Sequence, residues 1–244
     1  MGGKSDVVLI KNGKRLDGRA LDELRPINAE VGVLNRAQGS ARFSFGSTTA
    51  IAGVYGPQKV YPKRMEEAER AILRTDYRMA PFSTTERSRP GPSRRSTEIS
   101  FVTRNAILPV IITEEFPKTS IDAVIEILQA DASTRCCGIN AAVMALADAG
   151  IPMRDLVASC SAGKINGTTV LDVAGEEDMS GEVDMPVAYY PKRKEVTLLQ
   201  LDGIITPEEA KEVLKLAVKG CEQVYKKMQD ALRSKYLGEE SDRN

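Results

Sequence analysis

The segment that most restricts the fold of this chain lies near its C-terminus. Thr206-Pro207-Glu208-Glu209 reads as a helix start, with a threonine N-cap, a proline at the first helical position and a glutamate placed to close a capping box. Ala210, Val213, Leu214, Ala217, Cys221, Val224, Met228 and Leu232 then share one face for about six turns. Such a helix draws its stability from packing that stripe against a core. With 244 residues, 42% apolar and 28% charged, the chain can bury one, either as a single domain or as two fused halves.

Upstream, alternating or β-branched runs predict strands at residues 27–34, 41–45, 48–55 and 71–79, an opening β meander with its first turn at 35–40. Residues 82–93 hold two prolines, a glycine and several hydroxyls, so they form an irregular loop that delivers Arg94 and Arg95 to the next element. Ile99, Val102, Ala106 and Ile107 follow helical spacing; a buried strand is expected at 120–129 and an alanine-rich helix at 133–149. Further strands are expected at 157–165, 169–173, 183–190 and 196–201. The order of runs repeats coarsely in each half, which predicts an α/β (α+β) fold with two similar sheet-plus-helix halves. The domain is expected over 11–237, after an N-terminal extension at 1–10 and before a polar, frayed tail at 238–244.

No apolar stretch approaches the roughly 20 residues that cross a bilayer. The N-terminus turns charged after Val7-Val8-Leu9-Ile10 and lacks the pattern of a secretory signal, so a cytoplasmic protein is expected. Cys136, Cys137, Cys160 and Cys221 form no Cys-x-x-Cys and the chain has no histidine, which argues against structural zinc and makes reduced core packing the expected role. Net charge is zero, against a freestanding nucleic-acid binder held by bulk charge. The charge is uneven, however: bases dominate from Lys59 to Arg95, suiting a polyanion, and acids from Asp172 to Glu195, suiting a metal ion or proton transfer.

Three segments carry candidate chemistry. Pro92-Ser93-Arg94-Arg95 puts two guanidinium forks, which match phosphate oxygens, at a helix start; a solvated basic loop is the plain alternative. Ala130-Asp131-Ala132-Ser133-Thr134-Arg135 joins a strand to a helix through small residues that let backbone N–H groups approach an anion, or else merely caps the helix. Glu176 to Asp184 is an acidic cluster crossing a Gly-Ser turn, where period two puts Glu182 and Asp184 on one strand face and Asp178 can fold back toward them; a solvated acidic turn is the alternative. Without histidine, neither Ser-His-Asp nor Cys-His chemistry is available. Two anion sites and an acidic site do fit a reaction whose nucleophile, inorganic phosphate, comes from solution.

Taken together and in order, these segments resemble the RNase PH family, and within it the catalytic ring subunits of archaeal exosomes. Lys14-Arg-Leu-Asp-Gly-Arg19, Gly46-Ser-Thr-Thr-Ala50, Pro92-Ser-Arg-Arg, Ile127-Leu-Gln-Ala-Asp, Ala145 through Asp155 and Glu182-Val-Asp-Met-Pro186 carry the likeness, which covers residues 11–237. The resemblance implies a ribosomal S5 domain 2-like fold and a phosphate-dependent 3′-to-5′ exoribonuclease, broadly a nuclease of the hydrolase kind, that releases nucleoside diphosphates and in reverse adds RNA tails. It implies a hetero-hexameric ring, a trimer of dimers with a related silent subunit, RNA-binding cap proteins, and single-stranded RNA threading to the site. By the family's motifs, Arg95, Ser133, Thr134 and Arg135 would hold phosphate, and Arg94, with Lys63 and Arg64 near the pore, would touch RNA. Asp178 would be the general acid; Asp184, with Asp178 and Glu182, would bind or orient Mg²⁺.

The family's bacterial members tend to carry paired glycines where this chain has Ala132 and Ser133. That difference favours an exosome subunit over a homohexamer that trims tRNA 3′ ends. A non-catalytic RNA-binding ring scaffold is the third possibility, disfavoured because Asp178, Asp184 and Arg95 are all present.

Overall fold

A computed structural model describes residues 8–11 and 13–238; the outer parts of the predicted extension and tail lie outside the described residues. The chain opens with a small antiparallel hairpin, β1 (Ile10–Lys11) and β2 (Lys14–Arg15). A five-stranded sheet follows, made of β3 (Ile27–Val31), β4 (Gly39–Phe45), β5 (Thr48–Lys59), β6 (Ile72–Met79) and β7 (Thr119–Gln129), with spatial order β3-β4-β5-β7-β6. The meander expected from sequence therefore stops at β5. β7 inserts between β5 and β6 and pairs with β6 in parallel, and α1 (Arg94–Ile107) lies in the crossover that a parallel pair requires. The reason is legible in burial: β7 buries Ile121, Ala123, Ile125 and Ile127 and takes the interior, whereas β6, with Arg74, Asp76 and Arg78, can sit at an edge.

The second half begins with α2 (Thr134–Asp148). Next come β8 (Ala158–Ile165), β9 (Thr168–Leu171), the short α3 (Glu176–Ser180), β10 (Val183–Tyr190), β11 (Glu195–Leu199), β12 (Asp202–Gly203) and α4 (Pro207–Leu237). The second sheet runs β11-β10-β8-β9, with β12 pairing onto the start of β10. The segment expected to be an acidic turn is thus a helical turn, α3. α4 starts as its sequence predicts: Thr206 accepts from the Glu209 N–H at 3.3 Å, and the Glu209 carboxylate accepts from the Thr206 N–H at 3.1 Å.

α2 packs on β4, β5 and β7 and also touches β8; α4 packs on β8 and β10 and reaches β3. The two halves consequently share one core, with Phe43 and Ile125 from the first sheet, Met144 from α2, Val187 from the second sheet and Val224 from α4 in a single buried cluster. α2 is buried on nearly every side from Cys136 to Leu146, which explains why its sequence shows no polar face. Where α4 crosses the second sheet, a Cβ at Gly220 would stand 2.7 Å from Leu171, so any larger residue would have to displace the side chains packed there. All four cysteines are buried and unbridged, and burial pushes the Cys136 and Cys137 thiols up to about 12, leaving them inert packing groups. Among the described residues no helix is long and apolar enough to cross a membrane.

Candidate active site

The site assembles where α1, α2, α3 and the β10–β12 ladder meet around a cavity of about 940 Å³. α1 begins with a capping box in which the Ser93 hydroxyl accepts from the Ser96 N–H at 3.0 Å and Ser96 returns the bond at 2.7 Å. This fixes the first turn of the helix. Arg95, in that turn, lines the cavity, while the adjacent Arg94 is exposed and outside it. One turn later on α1, Glu98 accepts from Arg135 at 3.1 Å and from Gln200 at 2.7 Å, tying α1 to α2 and to the second sheet.

Between β7 and α2 the backbone turns through two successive left-handed residues, Ala132 (φ 59°) and Ser133 (φ 53°). Residues with a Cβ seldom adopt this conformation and glycine adopts it freely, so the two positions are those where glycine would be the low-strain choice. Ser133 is held there by its hydroxyl, which pairs with the Ser161 hydroxyl at 2.8 Å and donates to the Val173 carbonyl at 2.9 Å. The first turn of α2 opens into the cavity with N–H groups that have no intrahelical acceptor, flanked by Thr134 and Arg135. The Arg135 Nε is buried without a hydrogen-bond partner, and the buried Thr134 hydroxyl lies beside that of Tyr77. Together with Arg95 they form a cradle with donors and positive charge to spare, which suits an anion.

Asp178 from α3 and Asp184 from β10 face this cradle across the cavity. Burial pushes the Asp178 carboxyl up from its ordinary range, opposed by Arg95 and reinforced by Asp202. Burial likewise raises Asp184, with Asp178 adding to the shift and Arg135 opposing it, to about 7. One Asp184 oxygen is buried with no partner.

Asp202 was not singled out by sequence reasoning. It also lines the cavity, because β12 pairs Asp202 opposite Asp184. The only sequence signal for it was an acid just past a strand, which is too common to select. Glu182, expected to share the face of Asp184, instead accepts from the Gly167 N–H at 2.9 Å and pairs with Lys164 at 3.5 Å. It precedes the regular strand, so the period-two argument does not reach it. Lys63 and Arg64 lie in an exposed helical turn between β5 and β6, away from the cavity.

Among the described residues no three acidic or cysteine side chains gather closely enough to hold a metal ion unaided. The unpartnered Asp184 oxygen, in a cavity that Asp178 also lines, does fit a cation that draws its remaining ligands from substrate oxygens and water, as Mg²⁺ commonly does.

Residues 23–152 match the 3′ exoribonuclease family, domain 1, and residues 155–220 match domain 2 of the same family. The chain belongs to the 3′ exoribonuclease family. Its sequence is 58% identical to the exosome complex component Rrp41 of Pyrococcus furiosus, over 93% of this chain and 91% of that protein. It is 53% identical to the protein of the same name from Methanopyrus kandleri, over 95% and 97% of the two chains. Two solved structures share the fold: rice Rrp46 at a TM-score of 0.79 and 22% identity, covering 89% of this chain and all of that one, and an Archaeoglobus fulgidus exosome with RNA bound to the active site at 0.78 and 21%, covering 88% and 93%. The two family segments meet between α2 and β8, and the cavity draws lining residues from both.

Proposed function

We propose that the chain is the phosphorolytic subunit of an archaeal exosome, shortening RNA from its 3′ end by transfer of nucleotides to inorganic phosphate. The observation that carries this reading is the meeting, in one cavity, of an anion cradle and two carboxyls, Asp178 and Asp184, that burial pushes up from their ordinary range.

Inorganic phosphate sits on the N-terminus of α2 between Arg95 and Arg135, within reach of Ser133 and Thr134. One of its oxygens attacks the phosphorus of the last phosphodiester, the bond from phosphorus to the 3′ oxygen breaks, and Asp178 gives its proton to that leaving oxygen. The products are a nucleoside 5′-diphosphate and an RNA one nucleotide shorter with a free 3′ hydroxyl; Asp178 takes a proton back from solvent. No water is consumed, so the reaction is a transfer to phosphate and the label hydrolase does not describe it. Mg²⁺, if held at Asp184, would supply positive charge that stabilises the phosphate oxygens, leaving Asp178 free to carry the proton; Glu182 is engaged by Lys164. By microscopic reversibility the same groups extend RNA from diphosphates.

Arg94 guides the RNA backbone at the cavity mouth, and Lys63 and Arg64 contact single-stranded RNA farther along its path. The relatives named as exosome components support assembly into a hetero-hexameric ring with a related silent subunit, capped by RNA-binding proteins. The Archaeoglobus assembly of the same fold, with RNA in its active site, is consistent with that placement.

The deciding assay follows products from a 3′-labelled RNA with and without phosphate, for the chain alone and mixed with its ring partner. Diphosphates that appear only with phosphate and rise sharply on mixing support the proposal. Monophosphates in phosphate-free buffer overturn the chemistry. Full activity of the chain alone points to a homohexamer that trims tRNA, and no diphosphate under any condition points to a scaffold.

A further inference from the structure

The motif Lys14-Arg15-Leu16-Asp17-Gly18-Arg19 plays no part in the chemistry above, yet Arg15 and Arg19 are both buried. Charged side chains go inside only where their hydrogen bonds are met. Arg15, 3% exposed, has every group engaged. Its Nε donates to Glu177 at 2.8 Å and its Nη2 to the other Glu177 oxygen; Nη1 donates to the Leu171 carbonyl and Nη2 also to that of Asp172 at 2.8 Å. The rest of the motif serves this placement. Gly18, at φ 85°, closes a tight turn in which its N–H donates to the Arg15 carbonyl at 3.0 Å, and Asp17 accepts from the Arg19 N–H at 3.1 Å.

Glu177 immediately precedes Asp178. α3 has five residues, too few to be stable as an isolated helix, so its position depends on what grips it. The long-range part of that grip is the Arg15 fork on Glu177, whose carboxylate also accepts from the Ala174 N–H at 3.1 Å. The neighbouring Asp172, wholly buried, accepts from Arg25 at 2.9 and 2.6 Å and from Arg19 at 3.3 Å, and Arg25 reaches on to the Asp131 carbonyl at 2.6 Å. Asp131 opens the cradle. One buried ionic cluster therefore touches both the helix that bears the acid and the loop that bears the anion site.

We infer that Arg15 is a positioning residue for the reaction: through Glu177 it holds α3, and with it Asp178, at the cavity, while Arg25 holds the cradle side through Asp172 and Asp131. The inference rests on Asp178 acting as the acid. It assigns to the N-terminal motif the alignment of proton donor against phosphate.

The test uses Arg15→Lys in the full chain assembled with its ring partner. Lysine keeps the charge but cannot span both Glu177 oxygens and two carbonyls from one nitrogen. Two quantities are read: amide hydrogen exchange over residues 176–181, and the single-turnover rate constant at saturating phosphate. Exchange is expected to speed up by about tenfold or more. The rate constant is expected to fall by about 10-fold to 100-fold, as for a misplaced reacting group, with the half-saturating phosphate concentration unchanged. A residue with only a structural role would lower the reaction amplitude, the fraction of active sites, and leave the rate constant alone; that result overturns the inference. So does unchanged exchange in α3. If Arg15→Lys does not assemble, Glu177→Gln, which preserves size and loses the charge, is read in the same two ways. If the unmodified assembly shows no phosphate-dependent release, the proposed function fails, and the exchange measurement still decides whether Arg15 holds α3.

Discussion

Asp184 on β10 and Asp202 on β12 are register partners of an antiparallel pair, so two carboxylates stand directly opposite each other at one lip of the cavity. Like charges in that relation destabilise a sheet, and Asp178 brings a third. Burial and these acids outweigh Arg135 and Arg95, and Asp184 is lifted to about 7.

This has a consequence for stability. Asp184 ionises near 3.8 when its environment is ordinary, as in the unfolded chain, and at about 7 in the fold. Between those values the folded state binds the extra proton. The contribution of this group to stability is therefore full below about pH 4 and is lost as pH climbs through about 7. Asp184→Asn removes the dependence. Its melting temperature is expected to exceed that of the unmodified chain by more at about pH 8 than at about pH 4 in metal-free buffer; an equal difference at both would show that the carboxyl is not held protonated.

Asp178→Asn keeps the size and much of the hydrogen bonding of the side chain but cannot deliver a proton. Single-turnover cleavage is expected to drop by about 10² to 10⁴, the range for a positioned general acid, with RNA affinity retained. Unchanged cleavage would take Asp178 out of the mechanism, and loss of ring assembly would make it structural.

The two arginines at the start of α1 are predicted to divide their labour. Arg95 lines the cavity and Arg94 does not. Arg95→Ala should raise the phosphate concentration needed for half-maximal rate, and Arg94→Ala should weaken RNA binding, each by the roughly 1.5–3 kcal/mol of a hydrogen bond to a charged group. Titrations of phosphate and of RNA on both variants check this, and identical phosphate curves would refute the division.

Ala132→Gly relieves a left-handed residue that carries a Cβ, a strain of roughly 1–2 kcal/mol, at the cost of about 0.5–1 kcal/mol in chain entropy. A small rise in melting temperature is expected. Ser133→Gly relieves similar strain but gives up the bonds to Ser161 and Val173, so it should not stabilise. Thermal melts of the two variants should rank in that order.

Glu182→Gln should leave turnover and its Mg²⁺ dependence unchanged, because this carboxylate is occupied by Lys164 and Gly167 away from the cavity. Asp202→Asn should instead shift the pH profile of cleavage downward, since Asp202 raises both Asp178 and Asp184. A Mg²⁺ requirement that changes with Glu182→Gln would restore it to the site.

Where local chemistry decides the outcome, the sequence alone was sufficient. The capping box of α4 and its apolar stripe, the loop that ends at Arg94 and the strand-turn-helix at Asp131 to Arg135 depend on residues a few positions apart, whose spacing is visible in one dimension. Strand order was not visible in that way. β6 and β7 are parallel neighbours joined through α1, and although the charges of β6 suit an edge, no local pattern names β7, which begins 40 positions after β6 ends, as the strand that takes the place beside β5. The same limit hid Asp202 and the pairing of Glu182 with Lys164, since which acids face one cavity is set by the register of β10 with β12 and by Lys164 on the next strand. It also hid the purpose of Arg15, whose partner Glu177 lies 162 residues away in the chain and within hydrogen-bond reach only in the fold. Residue types established what chemistry was possible; long-range pairing, which has no local signature, decided which of them meet.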